Sequence, residues 1–483
     1  MIEVRSDDDF FSLGGDSILS MQICSRAAGF GLKLTPGQVM RERFLANVAA
    51  IAADEEAPVT GRGPVTGDLP LTPIQHWFFE LGLDEPDTYN QSVFFESAHA
   101  LDPEAVRVVC SEIISHHDAL RLRFMSRDGR IQQMNEKPSD IVPFVKADLQ
   151  AVSGTDVLRD IGGFADEIFH SISLERGLLV RVVLFHRGDE PGQWLLFVIH
   201  HLAVDGVSWR VLLEDFWIAY DQAERGVPIQ LSPRTTSFKE WAHRLGDYAS
   251  SEQAIAQKEY WLSQISAASP TLPIDIPEGS AVKERPQTIG FELPPDETRV
   301  LLTLVRDGVQ AALAAALVES LVPWILRPAI LVDMEAHGRE ALFEEVDLSR
   351  TVGWFTATYP VHLSTEGQTS WTGRIRQVAE QLARVPDGGI GYGALKYLSG
   401  IVSPPFADEN QKSASPNGSA SERIESPTRR ALRPRRFLPE VSLNYLGQFD
   451  QSLKKAEKHA IPAEWAGPKL TTAKLAHLIE VNG

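Results

Sequence analysis

An α/β fold is predicted for most of this chain, because helical and strand-like hydrophobic patterns alternate along it. Helical patterns lie at positions 104–116 and 310–324. Short apolar runs rich in β-forming residues lie at positions 120–125, 178–185, 194–200, 330–334 and 358–363. Such mixing indicates an α/β sandwich, and 483 residues imply more than one folding unit.

The N-terminal region carries a turn followed by a helical pattern. Gly14 and Gly15 make a turn, and Asp16 and Ser17 can start a helix that apolar residues continue. The Ser17 hydroxyl is therefore predicted to lie exposed at a helix N-terminus, a position that tolerates an added phosphodiester. Residues 55–68 are rich in Pro and Gly, which predicts a flexible linker to the main domain.

A segment of unusual composition interrupts the second half of the chain. Residues 403–436 are rich in Ser, Pro, Asn and Gly, and they include the one basic run of the sequence, at 423–436. Such a composition cannot bury enough apolar surface to fold. We therefore expect a disordered insertion over 403–436.

Composition and charge favour a cytoplasmic, globular protein. Hydrophobic residues make up 43% of the chain and charged residues 23%, no apolar run reaches membrane-spanning length, and the start lacks a secretory signal. With 46 basic against 65 acidic side chains, the net charge of −19 disfavours nucleic acid as a partner. Cys24 and Cys110 are the only cysteines, which argues against a disulfide framework, and we expect both to be buried free thiols.

The most informative stretch is HHLAVDGVSW at positions 200–209. The apolar run before it predicts a buried strand, which delivers His200 and His201 to a turn formed by Asp205 and Gly206. Histidine can move a proton near neutral pH, because its ordinary pKa lies there. Since consecutive strand residues face opposite sides, only one of the two can face a cleft, and a structural role is expected for His200. No metal is predicted, since adjacent histidines lack metal-ligand spacing.

This stretch resembles the active-site motif of the condensation and epimerization domains of nonribosomal peptide synthetases. Six further stretches, in family order, resemble the epimerization branch: TPIQHWFF at 72–79, HHDALRLRF at 116–124, EAHGRE at 335–340, TVGWFT at 351–356, GIGYG at 389–393 and NYLGQFD at 444–450. The resemblance implies two lobes of chloramphenicol acetyltransferase type, arranged as a V-shaped pseudo-dimer around a tunnel. The N-lobe is expected at about 69–235 and the C-lobe at about 280–483.

The N-terminal stretch DFFSLGGDSIL at 9–19 resembles a peptidyl carrier protein, whose serine receives 4′-phosphopantetheine. Ser17 is the matching position. The family has a further helix before this motif, so residues 1–54 are expected to be a partial, α-helical carrier domain that cannot fold well alone. The resemblance also implies the partners: an aminoacyl or peptidyl carrier domain, adjacent adenylation and condensation domains, and a phosphopantetheinyl transferase.

Epimerization removes the weakly acidic α-proton of an acyl thioester and returns it to the opposite face. Two proton carriers on opposite sides solve this geometry. The resemblance makes His201 the first candidate. Glu335 is the second, because the strand at 330–334 should end at the same cleft, and partial desolvation makes a carboxylate more basic. The alternative for Glu335 is a structural ion pair with Arg339.

Further residues are expected to support this site. Asn444 and Tyr445 match family positions, where they could donate hydrogen bonds to the enolate oxygen or steer the pantetheine arm, or serve only in a turn and in packing. Asp205 is expected to hold its loop through an arginine such as Arg121. Packing or tunnel-wall roles are expected for Trp354 and Tyr392.

Three departures from the family pattern bear on activity. Ala336 stands where the family has glycine, which would strain the loop if its backbone needs a positive φ. The stretch at 298–317 is several residues short, which could misplace Glu335. The chain stops at 478–483, in a family-like segment that normally leads into a further strand and helices, so the second lobe is expected to be incomplete.

Epimerization on a carrier arm is therefore the predicted function. The alternatives are an inactive relic or partner-binding fragment of a synthetase and, more weakly, a peptide-bond-forming condensation domain, since the GVSW sequence and the Glu335 motif favour epimerization.

Overall fold

The computed structural model describes residues 4–10, 13, 15, 19–20, 23–24, 26–27, 30–54, 63–97, 99–139, 141–149, 157–186, 193–266, 272–273, 287–305, 308–402, 439–445, 461–462 and 476–483. Ser17, the predicted insertion over 403–436 and most of the predicted linker lie outside these residues.

Helices and strands alternate through the described part of the chain. The helices are α1 Pro36–Glu42, α2 Leu45–Ile51, α3 Pro73–Leu81, α4 Pro103–His116, α5 Val157–His170, α6 Gly206–Glu224, α7 Phe238–Ala249, α8 Glu252–Ile255, α9 Lys258–Ser266, α10 Pro295–Val305, α11 Val309–Ile325, α12 Trp371–Leu382 and α13 Ile390–Gly393. The strands are β1 Leu32–Lys33, β2 Ala53–Asp54, β3 Gly67–Leu69, β4 Asn90–Ser97, β5 Leu122–Arg127, β6 Arg130–Asn135, β7 Phe144–Asp148, β8 Val180–His186, β9 Gln193–His200, β10 Ala329–Ala336, β11 Ala357–Ser364, β12 Val441–Asn444, β13 Ile461–Pro462 and β14 Ile479–Asn482.

The first lobe is built on a five-stranded sheet in the order β13-β4-β9-β8-β7. All eight residues of β9 are buried. Leu195, Phe197 and Ile199 pack into the main core, whereas the alternate residues Leu196 and Val198 pack into a second core beside α5. Both faces of the sheet are therefore covered, which is why this strand is continuously apolar although both of its neighbours are antiparallel.

The second lobe is built on a four-stranded mixed sheet in the order β11-β10-β12-β14. Strands β10, β12 and β14 run parallel to one another, so their carboxyl ends lie along one edge. Helices α11 and α12 pack against β10 and β11. The predicted α/β architecture of two lobes is thus confirmed.

Two boundaries differ from the predicted ones. Strand β3 begins at Gly67, inside the predicted linker, and pairs with β6. Strand β13 belongs by sequence to the predicted C-lobe, yet Ile461 pairs with Glu96 and Pro462 with Phe95 in the sheet of the first lobe. The second half of the chain therefore contributes a strand to the first half.

The N-terminal helices form a small unit of their own. Thr35 caps α1 through a reciprocal capping box with Gln38. Cys24, Val39 and Val48 form a separate small apolar cluster, which holds few buried side chains. Both Cys24 and Cys110 are buried free thiols, as predicted.

No single helix in the described ranges is long and apolar enough to cross a membrane. The pair α10 and α11 passes the length and composition test only when taken together, across a bend of 102°.

Candidate active site

His201 lies where β9 leaves the sheet, as the first residue of a 3₁₀ turn over His201–Ala203. Its backbone N–H donates to the carbonyl oxygen of Tyr89 at 2.9 Å. Its Nδ1 lies 2.8 Å from the carbonyl oxygen of Val204. Because a carbonyl oxygen can only accept, Nδ1 carries the hydrogen, and Nε2 is the basic nitrogen of the neutral ring.

Gln91 completes the hydrogen bonding of His201, and the sequence analysis did not find it. The Trp209 indole N–H donates to Gln91 Oε1 at 2.8 Å, so the Gln91 amide nitrogen faces His201 Nε2, 2.9 Å away. Gln91 is paired with Ile199 in the β4–β9 ladder, two positions before His201. Only this pairing brings it to the histidine, and no local motif predicts it.

Two aromatic rings pack against the His201 imidazole. The Trp354 ring lies 4.2 Å away between centroids, and the Tyr89 ring stacks at 5.5 Å. Burial lowers the pKa of His201, against the opposing effect of its backbone hydrogen bonds and of Asp205. The ring is therefore neutral near pH 7 and can accept a proton.

His200 has both ring nitrogens occupied within the protein. Its Nε2 donates to the carbonyl oxygen of Pro86 at 2.9 Å, and its Nδ1 accepts from the Leu202 N–H at 3.1 Å. The side chain is fully buried, and burial lowers its pKa to about 3. It holds the strand end and offers no free nitrogen to a substrate.

Asp205 joins the histidine motif to the second lobe. It caps α6, which begins at Gly206, because its Oδ1 accepts from the Ser208 N–H at 2.7 Å. The same carboxylate accepts from Arg339 Nη2 at 3.1 Å and from the Phe355 N–H at 3.0 Å. The N-terminus of α6, the EAHGRE stretch at 335–340 and the TVGWFT stretch at 351–356 therefore all bond to the Asp205 carboxylate.

The predicted arginine partner was wrong, because Arg339 and not Arg121 binds Asp205. The Arg121 guanidinium instead donates to backbone carbonyl oxygens of Val65, Ile114, Ser115, His117 and Glu136. Arg121 thus ties loops of the first lobe together. The alternative that pairs Glu335 with Arg339 also fails, because Arg339 bonds to Asp205, Ser208 and two carbonyl oxygens instead.

The expected strain at Ala336 does not occur. Ala336 ends β10 in extended conformation, paired with Ala357. The positive φ of this loop, 65°, belongs to Gly338. A Cβ atom on Gly338 would lie 1.7 Å from the carbonyl oxygen of Phe355, so this position accepts only glycine. The alanine therefore stands on extended backbone that needs no glycine.

Glu335 is the penultimate residue of β10 and lies directly opposite Thr358 of β11. Burial raises the pKa of Glu335 to about 7; Asp333 and Glu480 add to the rise, and His477 opposes it. Asn444 follows Leu443, the partner of Met334, so it lies beside Glu335 at the next strand end.

A second row of polar side chains lies behind Glu335 in the same sheet. Asp333 pairs with Ser442, and Ser442 with Glu480. Residues two apart on a strand share a face, so this row and the row of Glu335 face the same side. His477 bridges it, with Nε2 2.9 Å from Asp333 and Nδ1 3.6 Å from Glu480. Its carboxylate partners raise the pKa of His477 to about 9, against the lowering effect of burial, so it is a cation at neutral pH.

A small cavity is lined by one neighbour of each candidate proton carrier. Its lining includes Trp354, which contacts His201, and Thr358, which pairs with Glu335. Tyr89 gives a second connection, because its ring stacks on His201 while the Glu335 carboxylate contributes, after burial, to raising its pKa. The structure thus brings the predicted residues His201 and Glu335 to one region. Tyr392 packs against Trp261, 5.5 Å between centroids, and the end of the motif at 446–450 lies outside the described residues.

Tyr445 follows the end of β12 and is partly buried. Asn444 pairs with Asn482 in the parallel ladder, and its carbonyl oxygen accepts from the Gly483 N–H at 2.9 Å. These contacts fix the backbone of the strand end, and the roles of both side chains stay predictions.

One group of potential metal ligands lies away from this region. In the part of the chain that the structure describes, ligand atoms of His116, His117 and Asp215 lie within 4.8 Å of one another. His117 bonds to Asp215 at 3.1 Å, and Arg350 forms an ion pair with the other carboxylate oxygen. Arg350 and His117 already occupy the Asp215 carboxylate, so we assign no metal to this group.

A two-lobed α/β fold with a histidine at the end of a buried strand is the architecture that the resemblance to condensation and epimerization domains implies. Comparisons with known proteins give the family. The condensation-domain family model matches residues 65–404, and the phosphopantetheine attachment site model matches residues 2–52. The chain therefore belongs to the condensation-domain family of nonribosomal peptide synthetases, with a phosphopantetheine attachment region before that domain.

Similar proteins are large synthetases. The chain is 37% identical over 99% of its length to a linear gramicidin synthase of Brevibacillus parabrevis, and 36% identical over 94% to a surfactin synthase of Bacillus subtilis. It spans only 9% and 12% of these relatives.

Among solved structures, the epimerization domain from the third module of tyrocidine synthetase B is similar, with a TM-score of 0.73 and 32% identity, over 88% of this chain and 91% of that one. The first condensation domain of the calcium-dependent antibiotic synthetase shares the fold, with a TM-score of 0.55 and 18% identity over 66% of this chain and 74% of that one.

The residues around the attachment position fit phosphopantetheine. The Gly15 N–H donates to the Phe10 carbonyl oxygen at 2.9 Å, and a Cβ atom on Gly15 would lie 2.5 Å from that oxygen. Helical residues Leu19 and Ser20 follow. The turn at Gly15 precedes Ser17 and the helical residues Leu19 and Ser20 follow it, while Ser17 itself lies outside the described residues. When bound, the group supplies the thioester that carries the acyl substrate.

Proposed function

We propose that this chain epimerizes the α-carbon of an L-aminoacyl or peptidyl thioester on a phosphopantetheine arm, from L to D, during nonribosomal peptide synthesis. The observation that carries the proposal is that Tyr89 connects two proton carriers, because its ring stacks on His201 and the Glu335 carboxylate acts on its hydroxyl group. One is a neutral imidazole, His201, and the other is a carboxyl group, Glu335, whose pKa of about 7 lets it exchange a proton near neutral pH.

In this mechanism His201 Nε2 takes the α-proton, and the electron pair of the broken C–H bond moves onto the thioester carbonyl oxygen. The hydrogen bond from Nδ1 to Val204 stabilises the imidazolium that forms. Glu335, in its protonated form, then gives a proton to the opposite face of the α-carbon. Gln91 donates to Nε2 in the present structure, so its amide has to turn aside before the α-proton can approach.

Asn444 and Tyr445 are proposed to donate hydrogen bonds to the enolate oxygen or to guide the pantetheine arm. The register of β10 and β12 supports this for Asn444, because it lies beside Glu335 at the sheet edge. Ser17 is the proposed attachment residue. The proposed partners are a loaded carrier domain, adjacent adenylation and condensation domains, and a phosphopantetheinyl transferase in the cytoplasm.

Likeness to the epimerization domain of tyrocidine synthetase B favours this activity over peptide-bond formation. Condensation is the second candidate, because the matching family model is that of condensation domains. The two reactions differ in their products: epimerization exchanges an α-proton, whereas condensation joins two acyl groups through an amide.

The test follows α-deuterium incorporation in deuterated buffer, with a complete carrier domain loaded with an L-aminoacyl-pantetheine thioester. Substituting His201→Ala should lower exchange by about 10²- to 10⁴-fold, because general-base catalysis contributes that much. His243→Ala, which changes an exposed histidine on α7, is the matched control and should exchange at the wild-type rate. Absence of exchange by folded wild-type protein, or amide product from two loaded carriers, would contradict the proposal.

A further inference from the structure

Trp354 carries a buried N–H group that has no acceptor in the described part of the chain. The residue is only 3% exposed. Its indole N–H is buried, and no hydrogen-bond acceptor for it is found among the residues that the structure describes. Native proteins satisfy almost all buried donors, since an unpaired one loses its hydrogen bonds to water without compensation. The unpaired state of the Trp354 N–H therefore calls for a functional explanation.

The surroundings of Trp354 supply rings rather than acceptors. Ring centroids of Trp77, Phe78 and Tyr89 lie 6.2, 6.3 and 6.0 Å away, and that of His201 lies at 4.2 Å. His201 Nε2 already accepts from Gln91, and its Nδ1 donates to Val204. By contrast, the Trp209 indole in the same region has its partner in Gln91.

Trp354 also lines a small cavity, together with Thr358, the strand partner of Glu335. An acyl thioester placed there brings one strong acceptor, its carbonyl oxygen. Removal of the α-proton breaks the C–H bond, the proton goes to the base, and the electron pair moves onto this oxygen. A donor in a water-poor site stabilises that charge more than it stabilises the neutral carbonyl, which lowers the barrier.

We propose that Trp354 is a catalytic residue, whose indole N–H donates a hydrogen bond to the substrate's thioester carbonyl oxygen and holds the negative charge of the enolate. This inference rests on the proposed epimerization. The contact with His201 places the donor beside the base. The carbonyl oxygen and the α-carbon are bonded to the same carbon, so the donor and the base can hold both at once.

The first test compares Trp354→Phe with wild type in the full chain, using a panel of L-aminoacyl-pantetheine thioesters and α-deuterium exchange. Phenylalanine keeps an aromatic ring and removes the N–H. We expect kcat for exchange to fall by about 10²-fold, the usual effect of removing one such donor, with little change in KM. Trp217→Phe is the matched control, because Trp217 is equally buried, at 4%, but lies in the core of the first lobe. It should remain within about threefold of wild type.

A second measurement reads the hydrogen bond directly in wild-type protein. The indole nitrogens are labelled with ¹⁵N, and the Trp354 resonance is identified by its contact with the His201 ring protons. An unreactive amide analogue, in which NH replaces the thioester sulfur, should shift the Trp354 indole proton downfield. A matched analogue with CH₂ in place of the carbonyl should leave it unshifted.

Trp354→Phe exchanging like wild type, or equal shifts with both analogues, would overturn the inference. If the variant does not fold, the analogue comparison decides alone. Failure of wild-type exchange with every thioester would count against the proposed epimerization, whereas the analogue comparison would still test the contact at Trp354.

Discussion

At the scale of single residues, burial reverses the usual order of two pKa values. An imidazole ordinarily has a higher pKa than a carboxyl group. Here burial lowers the pKa of His201 and raises that of Glu335 to about 7, which favours the uncharged form of both side chains. A neutral base and a protonated acid are the forms that a two-sided proton exchange needs.

This reversal predicts a bell-shaped pH dependence of exchange. As pH rises through about 7, Glu335 loses the proton that it must donate, so kcat/KM should fall. As pH falls below the lowered pKa of His201, the base becomes protonated, and the rate should fall again. The check is kcat/KM between pH 5 and pH 9. In Glu335→Gln the alkaline limb near pH 7 should vanish from the residual activity; an unchanged limb would exclude Glu335 as its origin.

Gly338 provides a residue-scale prediction about stability. Substituting Gly338→Ala should lower the free energy of unfolding by about 2–5 kcal/mol, from the positive φ together with the clash against the Phe355 carbonyl. Gly367→Ala is the control, because Gly367 has φ +82° but nothing within 4 Å of an added Cβ. The control should cost about 1–2 kcal/mol. Equal losses in urea unfolding would show that the close approach adds nothing.

At the scale of elements, the parallel strands of the second lobe explain the environment of Glu335. Their register lines up Asp333, Ser442 and Glu480 in one row, with Glu335 and Asn444 in the next. His477 then lies between two carboxylates and partly offsets their effect on Glu335. The sheet therefore sets both the position of Glu335 and the charges around it.

Removing this cation should shift the alkaline limb of the pH profile. In His477→Asn, the Glu335 carboxylate loses a neighbouring positive charge while Asp333 and Glu480 remain, so its pKa should rise above about 7 and the limb should move to higher pH. His243→Asn, on the surface, is the control. A limb that stays in place or moves to lower pH would show that His477 does not act on Glu335.

The same substitution has a consequence for stability. The folded-state pKa of His477, about 9, lies above its ordinary value of 6.5, so its stabilising contribution is complete below pH 6.5 and is lost as pH rises through about 9. The free energy of unfolding of the wild type should therefore fall over this interval more steeply than that of His477→Asn.

Elements with strong local patterns could be predicted from the sequence. The predicted helices at 104–116 and 310–324 correspond to α4 and α11, and the predicted strands at 330–334 and 358–363 to β10 and β11. Strands β13 and β14, of two and four residues, are too short to show a repeating hydrophobic pattern, so the sequence did not predict them.

Contacts between distant segments were not predictable either. The sequence motifs led to His201, Asp205 and Glu335. Gln91, His477 and the bond from Arg339 to Asp205 depend on strand register and on the docking of the two lobes, and no local pattern encodes these.

At the scale of the whole molecule, the bond between Arg339 and Asp205 holds the two lobes together at the site. The Arg339 side chain is fully buried, so its charge depends on this carboxylate. Substituting Asp205→Ala should lower the free energy of unfolding by about 3–5 kcal/mol, because it leaves a buried charge unpaired. The control Arg107→Ala breaks an exposed ion pair with Glu104 and should leave the free energy of unfolding almost unchanged. Similar small losses for both in urea unfolding would contradict this role.

That bond also bears on the order of folding. Asp205 and Arg339 lie 134 positions apart in the chain, so their contact closes a long loop and belongs to the slow, non-local contacts. During synthesis the first lobe emerges before Arg339 and Trp354 exist, and it can place His201 at the end of β9. We therefore expect a nascent chain to carry the base well before it has a working centre, so that proton chemistry begins only when the second lobe docks.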